Sequence, residues 1–159
     1  MGAHEGETLI EVLGELFELK YRVLAACEVA EARLRDTVSR AKLAEFRREH
    51  LEHLEDLRRE LQALGGEPIG PADVGPIDRD TPPLLAGDGD RALLRAVRES
   101  EAQNSAACDR LLRRVDAPAT LRESMARHVS DERRHRAWLA QRLEYLRRQV
   151  PRERPERAR

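Results

Sequence analysis

Four stretches of the sequence repeat apolar residues, mostly leucine, at helical spacing, and polar residues interrupt each of these stripes. Residues three, four and seven apart share one face of an α-helix, so such a stripe marks the face that is buried. Helices with one apolar face bury it by packing against one another. The predicted helices cover about 8–36, 39–64, 90–115 and 118–149, which indicates one all-α bundle over residues 8–149.

The composition agrees with a bundle of this kind. Charged residues make up 37% of the 159 residues and aromatic residues only 3%, a balance that favours long helices over a sheet. The net charge of -1 offers no global field that would attract nucleic acid or a membrane surface. The two cysteines, Cys27 and Cys108, suit a reducing compartment. No apolar run approaches the roughly 20 residues of a membrane span, so we expect a cytoplasmic protein.

The segment between the second and third helices is rich in proline, glycine and aspartate. Gly65 and Gly66 mark the end of helix 2, and 67–89 is predicted to be an irregular connection. Such a long connection fits a bundle whose second and third helices run parallel, because the chain must then cross the length of the bundle. The arginine-rich tail, 151–159, is expected to be disordered and solvated; the alternative is contact with an acidic partner.

The polar residues inside the stripes follow an internal repeat. Lys20 on helix 1 precedes His53 on helix 2 by 33 residues, and Glu101 on helix 3 precedes His135 on helix 4 by 34. Two similar hairpins would therefore bring a polar set to one level of the core, and a buried polar group must be paired or bound to metal. This set is Lys20, His50, His53, Glu101, Glu132 and His135.

The segments 21–27, 49–53, 64–68 and 131–138 carry a family resemblance that extends over about 8–148. The chain resembles ferritin-like di-iron carboxylate proteins, and within them small bacterial ferritin-like proteins of unassigned function. The resemblance implies a ferritin-like four-helix bundle with a long crossover between helices 2 and 3. Together with the outward leucines Leu51 and Leu112, it also implies a homodimer.

The chain departs from the family pattern at two positions. Lys20 stands where di-iron members carry a metal-binding glutamate, and His50 stands at the glutamate position of helix 2. A protonated lysine cannot ligate a metal and repels it. Glu101, Glu132 and the pair His53 and His135 do match, but with two of the four carboxylates missing we do not expect a normal di-iron site.

Three interpretations of the polar set remain open. In the first, His50, His53, Glu132 and His135 bind one divalent ion (iron, zinc or nickel), and Glu101 is a ligand or a partner of the ligands. In the second, no metal is bound and the Lys20 ammonium takes its place, pairing with Glu101 and Glu132. In the third, Lys20 and some histidines reach outward and the core is ordinary.

Two further residues are candidates for supporting this set. Asn104 should face inward and hydrogen-bond to neighbours of Glu101, while His128 either extends the network or lies partly exposed on the face of helix 4. Cys27 and Cys108 are expected to behave as small core hydrophobes, with metal ligation or redox activity as the alternative. The sequence thus leaves two functions open. One is a metal-binding or redox-related protein, and the other is a non-catalytic structural, stress-related or interaction module.

Overall fold

The structure is a computed structural model that describes residues 8–67, 69–70 and 89–150. Within these ranges the chain forms four α-helices: α1 (Leu9–Arg33), α2 (Thr37–Ala63), α3 (Asp90–Leu112) and α4 (Ala119–Gln149). Helices α1 and α3 each end three residues before the expected position. Most of the predicted crossover and the predicted tail at 151–159 lie outside the described residues.

Short local motifs set the ends of the first two helices. The Thr8 side chain accepts a hydrogen bond from the Glu11 backbone N–H and the Glu11 carboxylate accepts from the Thr8 N–H, which is a capping box. Asp36 caps α2 by accepting from the Ser39 N–H. At the other end of α2, Gly65 has a φ of 77°, a left-handed conformation that glycine adopts readily, so the helix terminates there.

Hydrogen bonds between helix ends define how the helices run. Helix α1 packs against α2 and α3, and α4 packs against the same two helices. Asp90, the first residue of α3, accepts from the backbone N–H groups of Arg35 and Asp36 in the turn before α2. Helices α2 and α3 therefore begin at the same end of the bundle. Arg142, near the end of α4, also pairs with Asp36 at 2.7 Å. The path of the chain between α2 and α3 stays a prediction.

Two apolar clusters fill the core, and the polar set lies between them along the helices. One cluster includes Leu13, Leu57 and Leu121, and the other includes Leu43 and Leu139. The predicted stripe positions along the middle of the helices are buried, whereas some near the helix ends, such as Leu9 and Leu64, are partly buried. Val115, which the helical spacing predicts to be the last inward residue of helix 3, lies beyond the end of α3 and is 95% exposed. Its placement in the core was wrong because the helix ends before its side chain can turn inward.

Candidate functional site

All members of the predicted polar set are buried in the centre of the bundle. Lys20, His50, Glu101, Glu132 and His135 are 0% exposed, and His53 is 3% exposed. The supporting residues Asn104 and His128 are also 0% exposed. The interpretation in which Lys20 and the histidines reach outward is therefore wrong. These side chains form two linked groups, one around Lys20 and one around Glu101.

The Lys20 ammonium is the centre of the first group. Its Nζ donates to Glu132 Oε1 at 2.5 Å and to His53 Nδ1 at 3.2 Å. Because His53 Nδ1 accepts from an ammonium, the ring proton lies on Nε2, which donates to Asp131 Oδ2 at 2.9 Å. Burial and the charge of Lys20 both lower the pKa of His53. His53 is therefore neutral and links the buried lysine to a carboxylate at the surface.

Glu132 accepts a further hydrogen bond at the same oxygen. Asn104 Nδ2 donates to Glu132 Oε1 at 2.8 Å, so Asn104 supports Glu132 directly. Burial raises the pKa of the Glu132 carboxyl, while the charge and hydrogen bond of Lys20 act in the opposite direction. The charged form of Glu132 therefore depends on the lysine. Glu132 Oε2 has no hydrogen-bond partner among the described residues.

Glu101 is the centre of the second group. Its Oε1 accepts from His50 Nε2 at 2.7 Å and from His135 Nδ1 at 3.0 Å. Burial raises the pKa of the Glu101 carboxyl, but the charge of His50 and the hydrogen bonds from His135 and His50 outweigh burial and bring the pKa to about 2. Glu101 is thus a carboxylate held by two imidazoles, whereas the second interpretation paired it with Lys20. The described contacts of Lys20 go to Glu132 and His53 instead.

His135 supplies the positive charge in this second group. Its Nδ1 contacts Glu101 and its Nε2 contacts Glu49 Oε2, so both ring nitrogens face carboxylates and both carry protons. Burial lowers the pKa of His135, but hydrogen bonds and charges from Glu101 and Glu49 outweigh burial and raise it. The ring also stacks on Phe46, with centroids 3.9 Å apart. His135 is therefore a fixed imidazolium.

His128 extends the network toward the cleft between α2 and α4. Its ring stacks on His53 with centroids 3.9 Å apart, and its Nε2 donates to Asp56 Oδ2 at 3.1 Å. Burial and the charge of Lys20 lower the pKa of His128 to about 3, although Asp56 opposes them. Of the two alternatives for His128, a partly exposed ring was wrong: the ring is 0% exposed, because it packs on His53 and its Nε2 is held by Asp56.

Three carboxylates that sequence reasoning missed accept hydrogen bonds from the outer nitrogens of buried histidines. Glu49 pairs with His135, Asp131 with His53, and Asp56 with His128. Glu49 and Asp131 directly precede the inward residues His50 and Glu132 in the sequence, and Asp56 follows His53 by three. This closeness in sequence to the inward residues was the feature that could have identified the three carboxylates as partners of the histidines. These carboxylates fix the orientation of the rings at the edge of the core.

Two groups of potential metal ligands lie close together. One ligand atom from each of His50, His53 and Glu132 lies within 4.8 Å of the others, and the same is true of Cys27, His50 and Glu101. The first group consists of predicted residues, whereas Cys27 was expected to be a core hydrophobe.

The residues at the first position do not fit a dinuclear iron centre. Among the described residues, two buried carboxylates, Glu101 and Glu132, stand where the family pattern has four. In addition, Lys20 Nζ occupies the Glu132 oxygen and the His53 nitrogen that a metal would use. Of the other predicted ligands, His135 has both ring nitrogens on carboxylates, whereas His50 has Nε2 on Glu101 and Nδ1 without a partner among the described residues. Two of the three potential ligands at this position are therefore in contact with Lys20.

Comparison with known proteins shows the fold. No protein-family model matches the sequence, and a search of curated proteins gave no match. A crystal structure of a two-domain protein containing DJ-1/ThiJ/PfpI-like and ferritin-like domains, from Anabaena variabilis, is similar with a TM-score of 0.72 at 16% sequence identity. The similarity covers 98% of this chain and 42% of that one, so this chain spans less than half of its length.

The chain is a ferritin-like four-helix bundle, as the sequence predicts. This conclusion rests on the four described helices, the all-α architecture and the similarity to a protein with a ferritin-like domain. None of the described helices has a stretch that is both long enough and apolar enough to cross a bilayer.

Proposed function

We propose that this protein is a ferritin-like bundle in which a buried lysine replaces the dinuclear metal centre, and that it acts as a non-catalytic structural or interaction module. The observation that carries the proposal is the contact of Lys20 Nζ with Glu132 Oε1 at 2.5 Å and with His53 Nδ1 at 3.2 Å. The ammonium donates to two of the three residues, Glu132 and His53, that a metal at this position would use.

The pairing of the buried residues supports this proposal because each buried carboxylate has side-chain partners without a metal. Glu132 pairs with Lys20, and Glu101 pairs with His50 and His135. In metal-binding cores the ion is often the largest local charge and neutralises the carboxylates. Here side chains neutralise them. Breaking one of these buried pairs typically costs about 3–5 kcal/mol, since it leaves a charge without compensation.

Oxygen-activating and iron-oxidising chemistry are not expected at this position. Such chemistry needs open coordination positions and enough anionic ligands to hold a pair of iron ions. Lys20 fills the position, and His50 replaces one of the carboxylates.

The proposal includes a homodimer formed through the outer face of α2, where Leu51 is 47% exposed. Light scattering on wild-type protein and on Leu51→Glu tests the dimer: the variant should be monomeric.

The proposed function is tested with protein purified without an affinity tag. Wild-type protein incubated with Fe²⁺ should retain no iron pair after desalting and should not accelerate Fe²⁺ oxidation above the buffer rate. Lys20→Glu restores a carboxylate at the family's ligand position and should gain iron affinity. The matched control is Lys42→Glu, which changes a partly exposed lysine on α2 and should gain nothing. A pair of tightly bound iron ions in the wild type would contradict the proposal.

A second candidate function is the binding of one divalent ion by His50, His53 and Glu132. It is favoured by the closeness of their ligand atoms, within 4.8 Å, and by two buried atoms, His50 Nδ1 and Glu132 Oε2, that lack hydrogen-bond partners in the described part of the chain. Iron, zinc and nickel suit this donor set. Binding there requires Lys20 to release His53. In that case wild-type protein should bind one ion, and His50→Ala or His53→Ala should abolish binding, since each removes one of the three ligands.

A further inference from the structure

Cys27 lies in a second group of potential ligands, which shares His50 with the first group. One ligand atom from each of Cys27, His50 and Glu101 lies within 4.8 Å of the others, and all three residues are 0% exposed. We infer that these residues bind a single divalent ion of the zinc class, with the Cys27 thiolate as a ligand. This inference goes beyond the proposed function, because the lysine-centred position and the Cys27 position are different places in the core.

The position of Cys27 keeps such an ion away from the Lys20 ammonium. The two residues are seven apart on α1, which places their backbones about two turns, or roughly 10 Å, apart along the helix. Cys27 belongs to the apolar cluster on one side of the polar set, while Lys20 contacts Glu132 and His53. An ion beside Cys27 therefore does not have to displace the lysine.

The donor set has the chemistry of a zinc site. Zn²⁺ binds cysteine thiolate, histidine nitrogen and carboxylate oxygen, at bond lengths that place tetrahedral ligands roughly 3.5 Å apart. Ligand atoms within 4.8 Å of one another need only small side-chain rotations to reach that spacing. The set supplies three protein ligands and leaves the fourth position to a water molecule or a neighbouring side chain.

Unpaired buried atoms are the independent observation that points to a ligand here. His50 Nδ1 and Glu101 Oε2 both lack a hydrogen-bond partner among the residues that the structure describes. Leaving a buried polar atom unsatisfied costs about 1–3 kcal/mol. Glu101 accepts both of its described hydrogen bonds at Oε1, so its other oxygen is available to a metal without loss of His135.

Metal binding at Cys27 requires the thiol to lose its proton. Burial, with the charge of Glu101 acting in the same direction, raises the pKa of the Cys27 thiol well above its ordinary value. Without metal the side chain is therefore a thiol. When the ion binds, the S–H bond breaks, a sulfur–metal bond forms and the proton leaves to solvent. No oxidant or reductant takes part in this exchange.

The experiment uses Co²⁺ as a spectroscopic probe on the full chain, purified without a tag and stripped of metal. Wild-type protein should develop a thiolate-to-cobalt charge-transfer absorption in the near ultraviolet, and Zn²⁺ should displace the cobalt. Cys27→Ser should lose this absorption. It should also weaken Zn²⁺ binding by more than the roughly 10–100-fold typical for the loss of an outer hydrogen-bond partner.

Cys108→Ser is the matched control. Cys108 is also fully buried, follows Glu101 by seven residues as Cys27 follows Lys20, and contacts Glu132 Oε1 at 4.0 Å. This variant should keep the absorption and the Zn²⁺ affinity. Absence of a thiolate band in the wild type, or its survival in Cys27→Ser, would overturn the inference.

A measurement on the wild type keeps the inference testable if Cys27→Ser does not fold. Zn²⁺ should slow alkylation of Cys27 more than alkylation of Cys108, measured by mass spectrometry in mild denaturant; equal slowing would refute the thiolate site. The iron experiment on Lys20 is read separately. A pair of iron ions in the wild type would contradict the lysine proposal without removing a cobalt–thiolate absorption. Absence of the cobalt–thiolate absorption would contradict the Cys27 site without bearing on the lysine proposal.

Discussion

Lys20→Met is the substitution that most clearly separates an ionic core from an ordinary apolar core. Methionine has a similar length and fills the space of the lysine stem, so the change removes the charge and leaves most of the packing. In the wild type, Lys20 and Glu132 are both 0% exposed at the side chain and 2.5 Å apart. The variant therefore leaves Glu132 as a buried carboxylate supported only by neutral donors such as Asn104.

The expected loss follows from this burial. Removing one partner of a buried ion pair costs about 3–5 kcal/mol, which corresponds to a fall of roughly 6–20 °C in melting temperature for a chain of this size. Glu132 can escape part of the penalty by taking up a proton, and burial already raises the pKa of its carboxyl. The loss should therefore be larger at neutral pH than near pH 4, where a protonated Glu132 no longer needs the lysine.

Urea unfolding followed by circular dichroism measures this loss. Lys42→Met is the matched control: Lys42 pairs with Glu45 at 2.8 Å, but both side chains are partly exposed, so the change should cost less than about 1 kcal/mol. The double variant Lys20→Met/Glu132→Gln should recover much of the stability, because neither charge remains. If Lys20→Met costs no more than Lys42→Met, the ionic-core reasoning is refuted.

Three further predictions concern pH and helix ends. The pKa of Glu101 in the folded protein is about 2, below its ordinary 4.5, so its contribution to stability is present above pH 4.5 and is lost as the pH falls toward 2. In unfolding curves measured between pH 5 and pH 2, Glu101→Gln should therefore reduce the loss of stability with falling pH. Gly65→Ala should cost about 1–2 kcal/mol in urea unfolding, because the φ of Gly65 is 77°. Gly14→Ala should gain about 0.5–1 kcal/mol, because Gly14 lies in the second turn of α1 and the new Cβ would be 3.6 Å from Ile69 Cδ1. Equal effects of the two substitutions would contradict the backbone argument. Asp36→Ala removes the cap of α2 and the partner of Arg142, so the free energy of unfolding should fall by about 1–2 kcal/mol in urea unfolding. Asp36→Asn should lose less, because asparagine keeps most of the cap. An equal loss in the two variants would show that the ion pair with Arg142 matters more than the cap.

Helical spacing was sufficient to predict which polar residues face inward. Lys20, Glu101 and Glu132 occupy stripe positions, and a stripe position determines a face once the helix forms. The spacing could not determine which of these residues meet. Which residues meet depends on how far one helix is rotated about its axis and shifted along its neighbour, and helical spacing within one helix determines neither quantity. The metal-free interpretation paired Lys20 with both glutamates, and in the structure Lys20 contacts Glu132 and His53.

The outer carboxylates show a second limit of the sequence pattern. Glu49 and Asp131 lie one position beside the stripe, where a charged residue is normally solvated. Each instead reaches back over the edge of the core to the outer nitrogen of a buried histidine. Whether a side chain does so depends on its rotamer and on the width of the cleft between α2 and α4. The periodicity contains neither quantity.

We propose that the Lys20 ammonium occupies the place of a metal ion. Anomalous X-ray diffraction from crystals grown in the presence of Fe²⁺ locates iron independently of the protein chain and therefore shows whether iron or the lysine fills this position. We expect no iron peak between His53 and Glu132, with Lys20 Nζ within hydrogen-bond distance of both. An iron ion bound to Glu132 and His53, with the lysine turned away, would contradict it.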